Sequence, residues 1–137
     1  MNPPVDGGTR LYAVLGRPIA HSLSPALHNA AFRAEGRNAV YVACDVGEDE
    51  LPEALTGLRA LGAWGVNLTA PLKERALSAA IELTDEARAA GAVNTVRFDG
   101  GPMGHNTDGE GLARFLERQG VTLQGARVVF LGAGGAG

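Results

Sequence analysis

The sequence predicts an α/β fold, an open three-layer sandwich with a mostly parallel, mixed sheet. Short apolar runs alternate with amphipathic segments of helical spacing, as in strand-helix-strand units. Glycines follow the predicted helices as stop signals, and a tight turn at residues 99–102 predicts one antiparallel hairpin. The length of 137 residues, with 45% apolar and 20% charged residues, is typical of about one globular domain.

The first half of the chain carries three apolar runs and two amphipathic segments. Ser24 is the expected N-cap of the first helix, Pro25 suits its first turn, and Gly36 ends it, which predicts a helix over residues 25–35. Acidic residues and leucines spaced by three and four predict a second helix between residues 48 and 62. The predicted strands of this half are residues 11–15, 39–45 and 64–68.

The second half begins with a short helix that Pro71 opens and that reaches about residue 80. Thr84 is expected to cap the next helical turns, which end at Gly91. A longer helix should start at residue 107 or 108 and end at residue 119, before Gly120. The predicted strands are residues 92–98 and 103–105 of the hairpin and the last apolar run, residues 127–131.

Composition excludes several functions. A net charge of -3, with no cluster of basic residues, argues against nucleic-acid binding. No apolar run reaches the roughly 18 residues of a membrane span, and the first residues lack the pattern of a secretion signal, so we expect a cytoplasmic protein. The single cysteine, Cys44, excludes an internal disulfide, and the three histidines lack the spacing of a metal site.

Lysine usage provides a sharper observation. Arginine supplies eleven of the twelve cationic side chains, and Lys73 is the only lysine. Arginine does not release its proton in proteins, whereas lysine can, so Lys73 is a candidate for proton chemistry. A leftover surface lysine is the alternative.

Polar residues follow several predicted strands, at the positions where ligands collect in open α/β sheets. Ser22 and Ser24 project the same way in an extended stretch beside a helix start, where two hydroxyls can hold a carboxylate. Ser24 is also explained as a cap. The other polar positions are Asn67, Thr69, Lys73, Asn94, Thr95, Asn106, Thr107 and Asp108. For Asn67, Thr69 and Asp108, turn or cap hydrogen bonding is an equal alternative.

The final residues satisfy the spacing G-x-G-x-x-G directly after a predicted strand, which favours a dinucleotide-binding loop. The loop glycines include Gly132, Gly134 and Gly135, and the sequence stops at the third glycine of the pattern. We therefore expect an incomplete loop that does not bind a cofactor in this chain. The expected organisation is a tail at residues 1–10, one domain at residues 11–124, and the truncated first strand of a second domain at residues 125–137.

The chain carries five motifs: His-Ser-Leu-Ser-Pro (21–25), Asn-x-Thr-x-Pro-x-Lys (67–73), Gly-Ala-Val-Asn-Thr (91–95), Asn-Thr-Asp (106–108) and Gly-Ala-Gly-Gly-Ala (132–136). Their order and approximate spacing resemble those of shikimate dehydrogenases. The resemblance extends from residue 11 to residue 137. The resemblance implies a substrate-binding domain followed by an NADP-binding Rossmann domain. The reaction it implies is the reduction of 3-dehydroshikimate to shikimate, a step of aromatic amino-acid biosynthesis.

The resemblance also implies residue roles. Ser22 and Ser24 would bind the substrate carboxylate, and Thr69, Asn94, Lys73 and Asp108 would contact the ring hydroxyls and the reacting oxygen. Lys73 would be the general acid and base, with Asp108 as its partner. The alternatives are a quinate/shikimate dehydrogenase domain and a non-catalytic module that binds small acids. The chain alone is expected to be inactive, as a monomer or homodimer.

Overall fold

The computed structural model describes residues 5–79, 81–129 and 131–132. They contain one six-stranded sheet with the order β2-β1-β3-β5-β6-β4. The strands are β1 (Arg10–Gly16), β2 (Ala39–Asp45), β3 (Gly65–Leu68), β4 (Glu82–Leu83), β5 (Thr95–Arg97) and β6 (Met103–His105). Only β5 runs against the others, pairing antiparallel with β3 on one side and with β6 on the other. The mostly parallel mixed sheet with one hairpin is thereby confirmed.

Five α-helices surround this sheet in the described part of the chain: α1 (Ser24–Ala34), α2 (Leu51–Ala60), α3 (Leu72–Arg75), α4 (Asp85–Ala90) and α5 (Asp108–Arg118). Single 3-10 turns at Glu48–Glu50 and Ala76–Ser78 precede α2 and follow α3. The predicted helix over residues 71–80 is thus split into two short pieces. No described helix has the length and apolar character needed to cross a bilayer.

Side chains of β1 alternate between two apolar cores. Ala13 and Leu15 are fully buried in the larger core, which contains apolar residues of α2, α3 and α4. Val14 points to the opposite face, into a smaller core with Tyr41 and with Phe32 of α1. Because successive strand residues face opposite sides, this alternation places helices on both faces of the sheet and confirms the three layers.

Two glycines end helices and one threonine begins a helix, as predicted. Gly36 follows α1 with a φ of 63°, and Gly91 caps α4 in the left-handed conformation with a φ of 62°, which glycine adopts without strain. The Thr84 hydroxyl accepts a hydrogen bond from the backbone N–H of Ala87 at 3.3 Å, as an N-cap does. These local signals were sufficient because they depend only on neighbouring residues.

The predicted cap of α1 is wrong. Ser24 is the first helical residue, and the N-cap position is occupied by Leu23, which makes no side-chain cap bond. The hydroxyl of Ser22 instead accepts the backbone N–H of Ser24 at 3.3 Å. The turn before the helix brings Ser22 into the position from which a hydroxyl reaches a backbone amide two residues later.

The ends of the predicted strands also need correction. Residues 127–129 form no strand, and Val128 and Val129 are 61% and 86% exposed, so the predicted buried strand at 127–131 is wrong for the residues that the structure describes. An apolar run becomes a strand only where another strand offers backbone partners. The hairpin strand predicted at 92–98 is shorter in the structure, where it is β5. The sequence did not predict β4, because two residues are too few to show a periodic pattern.

Candidate functional site

The polar residues that follow β1 and β3 lie on segments that leave the sheet at one edge. β1 and β3 are parallel with Leu15 opposite Leu68, so the segments that follow both strands leave the sheet at the same edge. Thr95, at the start of the antiparallel β5, pairs with Asn67 of β3 and with His105 at the end of β6. The topology therefore brings together Lys73 and Asp108, which lie 35 positions apart in the chain.

Lys73 and Asp108 form an ion pair at this edge. The Lys73 Nζ donates to Asp108 Oδ2 at 2.6 Å, and the Asn94 side-chain amide donates to Asp108 Oδ1 at 2.8 Å. Both carboxylate oxygens are thus engaged, so the carboxylate has one defined orientation. The Lys73 side chain is 18% exposed and that of Asp108 is 44% exposed. The sequence prediction that these two residues come together is borne out by this distance.

Three hydrogen bonds hold α3 and the start of α5 against the segment that precedes β5. The backbone carbonyl of Lys73 accepts from the N–H of Val93 at 2.8 Å, which ties α3 to the segment before β5. Asn106 spans the next gap, because its amide nitrogen donates to the Ala92 carbonyl at 3.0 Å and its oxygen accepts the N–H of Asp108 at 2.9 Å. Asn106 therefore places the first residue of α5 against the segment that carries Asn94.

Asn94 is the most enclosed polar residue of the site, with 8% exposure. Its amide nitrogen donates to Asp108 and, at 2.8 Å, to the Thr107 hydroxyl. Its oxygen accepts from the Thr95 hydroxyl at 3.0 Å and from the backbone N–H of Thr107 at 3.2 Å. Two donors and two acceptor positions are the full capacity of an asparagine side chain, so Asn94 is saturated by protein partners.

The other predicted substrate residues lie on the segments that follow β1 and β3. Ser22 and Ser24 are half-buried before and at the start of α1. The loop that carries them is tied to the β3 side, because the N–H of Arg17 donates to the Ala70 carbonyl at 3.2 Å. Thr69 is half-buried one turn before Lys73. Within the described ranges no hydrogen bond connects the three hydroxyls with the side chains of Lys73 or Asp108.

The sequence did not predict the side-chain hydrogen bonds that connect Tyr41, Asn67 and Thr95. The Tyr41 hydroxyl donates to the Asn67 side-chain oxygen at 2.6 Å, and the Asn67 amide donates to the Thr95 hydroxyl at 3.0 Å. Tyr41 belongs to the smaller core and is 4% exposed. Burial raises the pKa of Tyr41 to about 12. No local sequence signal distinguishes a buried tyrosine that bonds a distant asparagine from one that only fills space.

The predicted cofactor loop is described only at its first glycine. Gly132 has a φ of 106°, and Gly134 and Gly135 lie outside the described residues. A dinucleotide loop needs a strand before the glycines and a helix after them. Residues 127–129 are not a strand, and because the loop after Gly132 lies outside the described residues, dinucleotide binding by these glycines stays a prediction.

Comparison with known proteins identifies what the chain resembles. Residues 14–96 match a family model described as the shikimate dehydrogenase substrate binding domain. The shikimate dehydrogenase (NADP(+)) of Salinibacter ruber is 51% identical over 135 residues, covering 97% of this chain and 47% of the relative. That of Thermococcus kodakarensis is 50% identical over 133 residues, covering 96% of this chain and 48% of the relative. The chain thus spans about half the length of the curated relatives it matches.

Solved structures give the same result. Shikimate 5-dehydrogenase from Thermus thermophilus, in complex with shikimate, is 45% identical with a TM-score of 0.85 and covers 93% of this chain and 49% of that chain. The Listeria monocytogenes enzyme, in complex with shikimate and NAD, is 39% identical with a TM-score of 0.83 and covers 90% of this chain and 43% of that chain.

Proposed function

The chain belongs to the shikimate dehydrogenase family through its substrate-binding domain, and we propose that it binds shikimate and 3-dehydroshikimate for an NADP-dependent dehydrogenase. The observation that carries the proposal is the 2.6 Å pair of Lys73 and Asp108, which joins the only lysine of the chain to a carboxylate from another element. Relatives at about 50% identity that are named shikimate dehydrogenase (NADP(+)) support the substrate and the cofactor.

Lys73 is proposed as the general acid and base. NADPH, when bound by the enzyme, supplies the hydride. Reduction of the substrate carbonyl leaves an alkoxide oxygen that takes up one proton, and the reverse reaction removes a proton from the hydroxyl. An ammonium has three N–H donors, so Lys73 can bond Asp108 and still donate to the substrate oxygen. A positioned acid of this kind is worth about 10² to 10⁴ in rate.

Asp108 and Asn94 are proposed to position that amine and the ring. Asp108 holds the Lys73 ammonium on one oxygen and is itself held by Asn94 on the other. Because the Asn94 side chain is saturated, it can bond a ring hydroxyl only by giving up a protein partner. The exposed Thr107 hydroxyl is the partner that water can most easily replace. Thr69 would contact a second hydroxyl of the ring.

Ser22 and Ser24 are proposed to bind the substrate carboxylate. Both are half-buried at the start of α1, where backbone N–H groups and the helix dipole favour an anion. A carboxylate would replace the weak 3.3 Å bond of the Ser22 hydroxyl to the N–H of Ser24. The two serines therefore offer hydroxyls to an acid without requiring a basic residue.

The setting of the reaction is also part of the proposal. The lone Cys44, which has no cysteine partner in the chain, suits the reducing cytoplasm, and the state we propose is a monomer or homodimer. A quinate/shikimate dehydrogenase domain is the alternative whose substrate would present a similar carboxylate and ring hydroxyls.

Titration of the 137-residue chain with shikimate, followed by two-dimensional amide NMR, tests the proposal. We expect shifts confined to residues 22–24, 69–73, 94 and 108. Ser22→Ala should weaken binding by about 10- to 100-fold, because a hydrogen bond to a charged group is worth about 1.5 to 3 kcal/mol. Ser78→Ala, which removes an exposed hydroxyl from the 3-10 turn after α3, is the matched control and should bind like the wild type.

Unchanged spectra with shikimate in large excess would contradict the proposal. A parallel titration with quinate separates the two related substrates, since equal affinity for both acids would favour the quinate/shikimate alternative.

A further inference from the structure

A continuous row of side-chain hydrogen bonds runs from the core of the sheet to the Lys73–Asp108 pair. It begins at Tyr41 on β2, crosses the sheet through Asn67 on β3 and Thr95 on β5, and ends at Asn94 and Asp108. Its four bonds measure 2.6, 3.0, 3.0 and 2.8 Å in that order. We call these five side chains the polar row.

The four bonds of the polar row share one donor-to-acceptor direction. The phenol of Tyr41 donates to the Asn67 oxygen, so the Asn67 amide nitrogen must face Thr95. The Thr95 hydroxyl accepts that bond and is left to donate to the Asn94 oxygen. The Asn94 nitrogen then faces Asp108. All four donors point toward the carboxylate, an arrangement in which hydrogen bonds polarise and strengthen one another.

From this directionality we propose that Tyr41 is a positioning residue for the Lys73–Asp108 pair, a role that rests on the function proposed above for that pair. Tyr41 does not touch the pair. Its hydroxyl fixes the Asn67 amide together with the Asn94 backbone carbonyl, which accepts from the Asn67 nitrogen at 3.3 Å. The Thr95 hydroxyl in turn fixes the Asn94 amide together with the backbone N–H of Thr107. The opposite orientation of Asn94 would turn its oxygen toward the Asp108 carboxylate, where two acceptors would face each other without a proton between them.

The surroundings of Tyr41 are suited to a fixed donor. Its ring stacks on His28 with centroids 4.3 Å apart and planes 10° from parallel. The Asn29 side chain clamps its backbone, donating to the Tyr41 carbonyl at 2.8 Å and accepting the Tyr41 N–H at 2.9 Å. A tyrosine phenol is protonated at neutral pH, and burial raises the pKa of Tyr41 further, to about 12. The hydroxyl therefore remains a donor in one place.

Two kinds of variant break the polar row without removing a residue of the pair. Tyr41→Phe deletes the first donor, and Thr95→Val deletes the middle hydroxyl at nearly constant shape. Thr95→Ser restores that hydroxyl and is the rescue variant. Tyr12→Phe is the matched control, because Tyr12 lies directly opposite Tyr41 in the sheet and its hydroxyl makes no hydrogen bond within the described residues.

Proton exchange in the unliganded chain is the direct measurement. Lys73 is the only lysine, so labelling with ¹⁵N-lysine gives a single ammonium signal, and the side-chain NH₂ of Asn94 is followed in the same samples. Tyr41→Phe and Thr95→Val should accelerate both exchange rates by up to about tenfold, because one hydrogen bond contributes about 0.5 to 1.5 kcal/mol. Thr95→Ser and Tyr12→Phe should retain wild-type rates.

Wild-type exchange rates in folded Tyr41→Phe, or the same acceleration in Tyr12→Phe, would overturn the proposal. If Tyr41→Phe does not fold, the contrast between Thr95→Val and Thr95→Ser decides, and equal rates in these two would also overturn it. Shikimate titrations of the same variants test the function separately. Failure of the wild type to bind shikimate would contradict the proposed function, while the exchange rates would still decide whether Tyr41 orients the pair.

Discussion

Gly16 is the residue where the end of β1 meets the start of the loop that carries Thr69. A Cβ placed on Gly16 would lie 2.5 Å from the Thr69 Cγ2 and 2.9 Å from the Ala70 carbonyl oxygen. The carbonyl belongs to the backbone and cannot rotate away as a side chain can. Glycine is therefore required here by close approach, and the position of Thr69 depends on it.

Gly16→Ala should destabilise the chain by about 1 to 3 kcal/mol, the usual cost of overpacking. Gly57→Ala is the matched control, since nothing lies within 4 Å of its Cβ position in α2, and it should stabilise by about 0.5 to 1 kcal/mol. Urea unfolding measures both. A neutral Gly16→Ala would contradict the close contact in the structure.

Tyr41 also gives the stability of the chain a dependence on alkaline pH. Burial raises its pKa from 10.0 to about 12, so the unfolded chain loses the phenolic proton at lower pH than the folded chain. The contribution is complete below pH 10 and declines as the pH rises from 10 toward 12. The decline amounts to roughly 2 to 3 kcal/mol at about 1.4 kcal/mol per pKa unit.

Urea unfolding of the wild type and of Tyr41→Phe at several alkaline pH values checks this dependence. The wild type should lose roughly 2 kcal/mol more than Tyr41→Phe between pH 9 and pH 12, because only the wild type carries the buried phenol. If the unfolding free energies of the two proteins fell in parallel with pH, the phenol would have the same pKa in the folded and the unfolded chain, and the prediction would be wrong.

At the scale of elements, α2 and α5 contribute differently to the fold. Leu51 and Leu55 of α2 are 0% and 5% exposed and belong to the larger core. Leu112 and Phe115 of α5 are 52% and 57% exposed, and α5 has no buried residue. The role of α5 in this chain is therefore to carry Asp108 at its first position rather than to build the core.

A matched pair of leucine truncations distinguishes the two helices. Leu51→Ala should cost about 2 to 5 kcal/mol of unfolding free energy, as expected for a cavity in a packed core. Leu112→Ala should change it by no more than about 0.5 kcal/mol. Thermal or urea unfolding provides the comparison, and a large loss from Leu112→Ala would mean that α5 packs more tightly than its exposure indicates.

At the scale of the whole molecule, one sheet edge gathers the chemistry while the two apolar cores hold the layers together. The described residues provide an amine, a carboxylate and several hydroxyls at this edge, and the predicted cofactor loop beyond Gly132 lies outside them. We expect the 137-residue chain to bind the substrate without transferring a hydride.

The 137-residue chain mixed with shikimate and NADP should bind shikimate without producing reduced cofactor. The absorbance of the reduced nicotinamide measures turnover, and NMR shifts at the site measure binding in the same sample. A polypeptide that also carries the remaining half of the relatives' length is the positive control. Turnover by the 137-residue chain alone would contradict the expectation.

Much of the fold could be predicted because its signals are local. Alternating apolar runs indicated β1, β2, β3 and the hairpin, and glycines with positive φ marked the ends of helices. The isolation of Lys73 among arginines made it a candidate for proton chemistry, with a leftover surface lysine as the alternative, and the family resemblance favoured the chemical role. Motif order then suggested that Lys73 and Asp108 act together, and their side chains lie 2.6 Å apart, while their joint role in catalysis stays a prediction.

The remainder depended on partners that are distant in sequence. The hydroxyl of Tyr41 has a role only because β3 brings Asn67 within 2.6 Å, and Asn94 is saturated only because Thr95 and Thr107 converge on it. Residues 127–129 have the sequence pattern of a strand and form none, because strand formation requires a neighbour with free backbone groups. Periodicity and caps follow from adjacent residues, whereas hydrogen-bond direction and strand pairing are properties of the assembled sheet.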